Sequence, residues 1–237
     1  MTKNLFLFKL VYILFTANIF AQINSQLTYS QVSDIEGNIY QTINIGPHMW
    51  MAENLRTTKY NDGSIIPLIT DSVQWWNNYK NNTSLPMMCW YDNDLSNHQT
   101  KIYGGLYNWF AINPLTNGNK NICPKGWHVP TDAEWSLLIS SLGGKSVSGG
   151  KLKSTGMEYW QSPNKGATNS SGFSGLPGGG RNSDGAFFSK GDIGYWWSST
   201  ELDASLAWNR YLGHNYSTSG KNYYSKSLGF SVRCVKD

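Results

Sequence analysis

The stretch CPKGWHVPTDAEWSLLISSL (residues 123–142) decides how the rest of the chain is read. Cys123-Pro124-Lys125-Gly126 has the composition of a turn. Trp127-His128-Val129 follows as a short strand, which Pro130 stops. Thr131 is a favourable helix N-cap, and Asp132 and Glu134 lie in the first turn, where the helix dipole favours negative charge. Glu134 stands three residues after Thr131, the spacing of a capping box. Trp135, Leu138, Ile139 and Leu142 then form one apolar face, and Gly143-Gly144 ends the helix. A strand, a hard stop and a capped helix within twenty residues indicate a mixed domain of short elements.

Toward the N-terminus the pattern is of short strands and turns. Glu36-Gly37-Asn38, between Val32 and the alternating Tyr40, Thr42 and Ile43, is a hairpin signal. Residues 50–55 form a second short strand or turn, and Asn61-Asp62-Gly63-Ser64 a strong turn. Residues 71–83 fit either a short helix capped by Asp71 or an aromatic loop. Residues 86–91 form a strand candidate. Leu106, Trp109, Phe110 and Asn113 fall at helical spacing. Toward the C-terminus no long helical pattern appears, and residues 145–194 are rich in Gly, Ser and Asn. Residues 176–181 (LPGGGR) suggest a tight irregular loop. Residues 195–200, 207–212 and 229–235 suggest three strands.

Charged residues make up 14% of the chain and aromatics also 14%, with 11 Trp and 14 Tyr. The low charge and high aromatic content exclude a disordered chain and a coiled coil. Together with 24 Gly they point to a loop-rich, strand-rich extracellular domain. Lys3 and Lys9, the apolar run Leu10–Phe20 and the following Ala21 have the layout of a secretory signal peptide over residues 1–21, cleaved after Ala21. The run is short for a membrane span, and no later segment could span one. No Cys lies near the expected cleavage site, which disfavours a lipid anchor. Without Lys3 and Lys9 the excess of basic over acidic residues falls from four to two, leaving no basic stripe for nucleic acid. Residues 22–32 form a polar linker, and residues 33–237 a single domain.

Cys89, Cys123 and Cys234 are the three cysteines, an odd number in a chain expected to be exported. None belongs to a CxxC, so zinc and thioredoxin-like chemistry are not expected. The preferred bridge is Cys123–Cys234, joining the middle of the chain to its last strand.

Five phrases together resemble the Fibrobacter succinogenes major paralogous domain. They are residues 103–109 (YGGLYNW), 123–135 (CPKGWHVPTDAEW), 172–181 (GFSGLPGGGR), 195–200 (YWWSST) and 229–235 (GFSVRCV). The likeness runs from about Asp34 to the last residue. It implies an exported bacterial protein, often of Bacteroidota and their relatives, in a family without an assigned activity. More distantly, residues 129–135 and the Gly229-Phe230…Arg233-Cys234 ending are similar to formylglycine-generating enzymes, the sulfatase-modifying-factor group. This implies a C-type-lectin-like α+β domain of short antiparallel strands, about two helices and long ordered loops.

That likeness does not extend to catalysis. Formylglycine-generating enzymes use two closely spaced copper-binding cysteines, and the three cysteines here are far apart. No GxSxG or HExxH is present, and His48, His98, His128 and His214 stand alone in sequence. Asp132 and Glu134 are accounted for by helix capping. Asp92-Asn93-Asp94-Leu95-Ser96 alternates oxygens like a calcium loop but lacks its Gly and terminal Glu. Calcium-lectin sugar motifs are missing, and Trp208-Asn209-Arg210 breaks the Trp-Asn-Asp motif. The expected function is therefore a non-enzymatic binding module, secreted or at the cell surface, for a glycan or a surface protein. No cofactor and no metal are expected. An enzyme on the formylglycine-generating scaffold, or a structural component of an extracellular assembly, is the alternative.

Exposed indoles are platforms for sugar rings. The candidate ligand residues are Trp76, Trp196 and Trp208, with Arg181 and Arg210 either as planar donors beside them or as anchors for buried carbonyls. Trp90, Trp109, Trp127 and Trp135 are assigned to the core. Alternation along a strand places one member of a Trp pair such as Trp196–Trp197 inward.

Overall fold

The computed structural model describes residues 27–94 and 102–237. The expected signal peptide, the first part of the linker, His98 and the end of the oxygen-rich loop lie outside the described residues.

Among the described residues, two five-stranded sheets and a two-stranded ribbon carry five helices. The first sheet contains β1 (Ser30–Ser33), β2 (Ile39–Ile45), β3 (His48–Met51), β6 (Trp127–His128) and β12 (Val235–Lys236), in the order β1-β2-β3-β12-β6. The second contains β7 (Gly178–Arg181), β8 (Phe187–Lys190), β9 (Ile193–Glu201), β10 (Leu206–Gly213) and β11 (Ser219–Ser225), in the order β11-β10-β9-β7-β8. The ribbon pairs β4 (Met88–Cys89) with β5 (Leu106–Tyr107). Pairing is antiparallel except between β7 and β9, which run parallel at Gly179 and Gly194. The helices are α1 (Ser72–Lys80), α2 (Trp109–Ile112), α3 (Pro114–Asn117), α4 (Asp132–Ser141) and α5 (Lys145–Leu152).

Local sequence accounts for several of these elements. The Thr131 hydroxyl accepts from the Glu134 amide while the Glu134 carboxylate accepts from the Thr131 amide, completing the capping box of α4. Asp71 accepts from the Gln74 amide and starts α1, which settles the choice between helix and loop. The hairpin at residues 34–38 is present, with Ser33 opposite Ile39.

Other elements depart from expectation. Among the described residues five helices stand where about two were expected. Leu106-Tyr107 is strand rather than helix, because both pair with Cys89 and Met88, and Asn108 then caps a separate helix. Ser30–Val32 belong to the first sheet rather than to a linker. Their polar side chains conceal an edge strand held by backbone pairing to β2. Residues 178–181 are strand rather than loop. Helix α5 was hidden by Gly149 and Gly150, poor helix formers. A Cβ on Gly149 would lie 2.3 Å from the Thr218 carbonyl oxygen and one on Gly150 2.1 Å from that of Gly166, so only glycine lets the helix meet this backbone.

Both sheets separate apolar clusters. On β9, Tyr195 and Trp197 enter the largest cluster, while Trp196 enters a second with Trp50, Trp135 and Phe173. Trp196 and Trp197 are therefore both buried. Alternation does place them on opposite faces, but both faces are covered. On β3, Met51 and Trp50 divide in the same way.

Cys123 and Cys234 form the expected disulfide across 111 residues. Cys89 is the free thiol, buried among the described residues, and burial pushes it up to about 12 despite the nearby Arg181.

Two fully buried arginines fasten loops to this frame. The Arg233 guanidinium donates to Asn54 Oδ1 at 2.9 Å, to the Ser174 carbonyl at 2.9 Å and to the Phe173 carbonyl, and lies 3.9 Å from the Phe173 ring centroid. Burial lowers it to about 9, so it stays protonated at neutral pH. Arg181 donates to the carbonyls of Ile69, Thr70 and Gly185 and lies over Trp75.

Replacing Arg233 by Met removes the donor to the Phe173 and Ser174 carbonyls and one of the two donors to Asn54 Oδ1. Loss of at least about 3 kcal/mol of folding stability is expected, read as the shift in denaturant midpoint at constant m. Breaking the disulfide by Cys123→Ser with Cys234→Ser is expected to cost up to about 4–5 kcal/mol by loop entropy, checked by the same titration.

Candidate functional site

Helix α1 presents its aromatics in two directions. Trp75 points inward and is fully buried, with Arg181 against its ring. Trp76 and Tyr79, three residues apart, share the outer face. Their ring centroids are 5.2 Å apart, and they are 36% and 47% exposed. Lys80 stands in the last turn.

The pair borders a cleft of about 400 Å³. Its far side is formed by Phe110 of α2, Ala204 and Ser205, Ser225 at the end of β11, and Ser227 just after it. Both walls are braced. The buried Asn78 amide donates to the Leu85 carbonyl at 2.8 Å, while its oxygen accepts from the Thr83 hydroxyl at 2.5 Å, clamping the 81–85 loop to α1. Opposite, buried Lys226 bonds Glu201 at 2.7 Å and the Ala204 carbonyl at 3.1 Å, and lies over the Trp109 ring. An exposed aromatic pair facing hydroxyls and amides on a braced frame is suited to a ring-shaped polar ligand with apolar C–H faces. A second cleft of about 340 Å³ lies between Pro67, Ile69, Leu85, Pro86 and Met87 and the amide side chains Gln74, Asn77, Asn78 and Asn81 of α1 and its end.

The remaining sequence candidates do not join this cleft. Trp196 is 1% exposed and its indole N–H donates to Asn54 Oδ1 at 2.8 Å, so it has no face to offer a ligand. Arg181 is a carbonyl anchor, as described above, rather than a ligand contact. Trp208 is half-buried on β10 opposite Tyr223, and Lys221 Nζ covers its ring at 3.7 Å. Arg210 is bonded there to Asp132 at 2.7 Å, and Lys221 to the other oxygen of the same carboxylate at 2.7 Å. Both oxygens of Asp132 are thereby engaged, while Arg210 Nε is buried without a partner. Of the candidates Trp76, Trp196, Trp208, Arg181 and Arg210, only Trp76 borders this cleft; Trp196 is buried, Arg181 takes the carbonyl-anchoring role that was the alternative for the arginines, and half-buried Trp208 and Arg210 lie outside the cleft. Trp90, Trp109, Trp127 and Trp135 are buried, as expected.

Tyr79, Phe110 and the serines 205, 225 and 227 went unnoticed in sequence. The i, i+3 spacing of Trp76 and Tyr79 on a helix facing polar loops was the available signal.

Ionisable groups converge elsewhere, at His128. Its Nδ1 lies 2.6 Å from Asp237 and its Nε2 2.9 Å from Glu134. Burial opposes its charge, but the two carboxylates outweigh burial and raise the imidazole above its usual 6.5. Among the described residues no group of three or more His, Cys, Asp or Glu is placed to hold a metal. Asp92 instead lies 3.5 Å from Lys190, and Asn93 donates to the Thr70 carbonyl.

Fold and cleft together define a small α+β domain with an aromatic surface cleft. The chain matches the family model of the Fibrobacter succinogenes major domain over residues 43–236, and it belongs to that family. Comparison with curated proteins and with solved structures gave no match.

Trp76→Ala is expected to change stability by less than about 1 kcal/mol, whereas Trp196→Ala costs about 3–5 kcal/mol; thermal unfolding separates them. His128 contributes stability below its unfolded value near 6.5 and loses it as pH rises through the higher folded value. The stability gap between wild type and His128→Asn should therefore shrink from pH 6 toward pH 8, followed by denaturation at each pH.

Proposed function

We propose that this chain is an exported, non-enzymatic binding module, secreted or held at the cell surface, whose Trp76 cleft takes a glycan. The observation that carries the reading is the Trp76–Tyr79 pair, exposed side by side above a cleft lined by Asn and Ser. Sugar rings place axial C–H groups against such faces while their hydroxyls meet amides and serines at the edges. The positive start, apolar run and small residue of residues 1–21 support export. No helix among the described residues is long and apolar enough to cross a membrane.

A C-type-lectin-like arrangement is part of this reading. Short, mostly antiparallel strands, a capped helix after β6 and long pinned loops support it. A catalytic role of the formylglycine-generating kind fits less well. Two of the three cysteines are joined to each other, and the third is buried with its thiol held protonated. A protein partner would use the same exposed aromatics, and would bind without competition from sugars.

Screening the full chain on a glycan array, with and without a calcium chelator, tests the reading. Binding should survive chelation, because no lining residue of the cleft is acidic. Trp76→Ala should weaken it at least about tenfold, the loss of about 1.4 kcal/mol. Absence of signal on every glycan would overturn the proposal.

A further inference from the structure

The Trp76 cleft does not end at its serine wall. Ser225 also lines a neighbouring cleft of about 440 Å³, bordered by Asn182, Ser183, Ala186, Phe188 and Tyr224. A chain of hydroxyls crosses the boundary. Ser225 Oγ lies 2.8 Å from Ser227 Oγ, which lies 2.7 Å from Ser183 Oγ. Ser225 and Ser227 border the first cleft, and Ser225 and Ser183 the second.

The second cleft has its own aromatic station. Phe188 and Tyr224 are half-buried, so part of each ring remains accessible. They pack around Tyr195, whose centroid lies 5.7 Å from Phe188 and 6.2 Å from Tyr224. The aromatic surface continues past them to Tyr211, 6.2 Å from Tyr195. Tyr211 lies against the backbone of Gly220, where a Cβ would come within 2.0 Å of the ring. Half-exposed rings therefore extend along this face of the second sheet.

The lining chemistry limits the ligand. Neither cleft is lined by any Asp or Glu, and Lys80, in the first, is the one charged lining residue. Such a groove has no carboxylate to anchor a divalent cation and little to repay the desolvation of a charged ligand. Two aromatic stations joined by hydroxyls suit a repeating, uncharged, hydroxyl-rich chain. A single small sugar would fill only one of them.

We propose that the two clefts are stations of one groove, and that its ligand is a linear, neutral glycan long enough to occupy both. The proposal rests on the glycan reading of the Trp76 cleft and extends it by a second station and a length requirement. Joining two stations through one ligand makes the second contact intramolecular, so affinity should rise with chain length until both are filled.

The test is calorimetric titration of the full chain with neutral gluco-, manno- and xylo-oligosaccharides, from disaccharide to octasaccharide. In at least one series the octasaccharide should bind at least about tenfold more tightly than the disaccharide, with no dependence on calcium. Tyr224→Ala should remove that gain and leave disaccharide affinity unchanged, whereas Trp76→Ala should weaken every length. Tyr224 packs against the core, so Ala186→Arg gives an independent check: Ala186 is exposed, and a bulky side chain there obstructs the second cleft from outside. Equal affinity for all lengths, or a length gain that survives Ala186→Arg, would overturn the two-station groove and leave the single-cleft reading standing. Absence of binding at every length, in all three series and on the array, would overturn both.

Discussion

The buried contact between Arg233 and Asn54 is the constraint on which the rest of the fold depends. Asn54 Oδ1 accepts from both Arg233 Nε and the Trp196 indole, while its amide donates to the Tyr103 carbonyl and reaches Ser231. The guanidinium goes on to the carbonyls of Phe173 and Ser174. One arginine and one asparagine thus join segments from five parts of the chain. The cation has no carboxylate among these partners; carbonyl dipoles and the Phe173 ring replace its water. A charge taken from solvent is tolerated only where its donors are met, so the loops around it have little freedom to drift.

This explains how long, glycine-rich loops remain ordered with few regular ladders beside them. Arg181 repeats the device, fastening residues 69–70 before α1. The carbonyls it holds immediately precede Asp71, the N-cap of the helix that carries Trp76. The aromatic cleft is thereby referred to the interior through two steps, from buried cation to helix start to exposed ring. A loop site gains precision when its support is packed in this way.

What was legible in the sequence was what local chemistry decides. The capping box of α4, the hairpin before β2 and the strands β9 and β10 were evident because capping residues, turn residues and alternation are short-range signals. The 123–234 bridge was the expected pairing. Elements governed by contacts distant in sequence were not legible. The glycines of α5 and β7 answer to backbone from other segments, which no local pattern records. Of the five ligand candidates only Trp76 lines the cleft, because composition cannot tell which side of a tryptophan will be covered. Trp196 looked like its neighbours in sequence; a second core on the far face of β9 buried it. The serines at the junction of the two clefts carry no pattern at all, and only the end of β11 brings them opposite Phe110.

The place of β12 bears on the order of assembly. Val235 pairs with Trp50 on one side and His128 on the other, so a strand from the last residues of the sequence lies inside the first sheet. Until those residues arrive, β6 has no partner strand and β3 is open on the side away from β2, so Trp50 and Trp127 lack the strand between them. Long-range closure of this kind is slow, because the entropy of bringing distant segments together is lost before contacts repay it. A chain made or threaded from its N-terminus would therefore remain an open, sticky intermediate until nearly the whole of it is available. Completion would then come as a single late event, with the insertion of β12 and the meeting of Cys234 with Cys123.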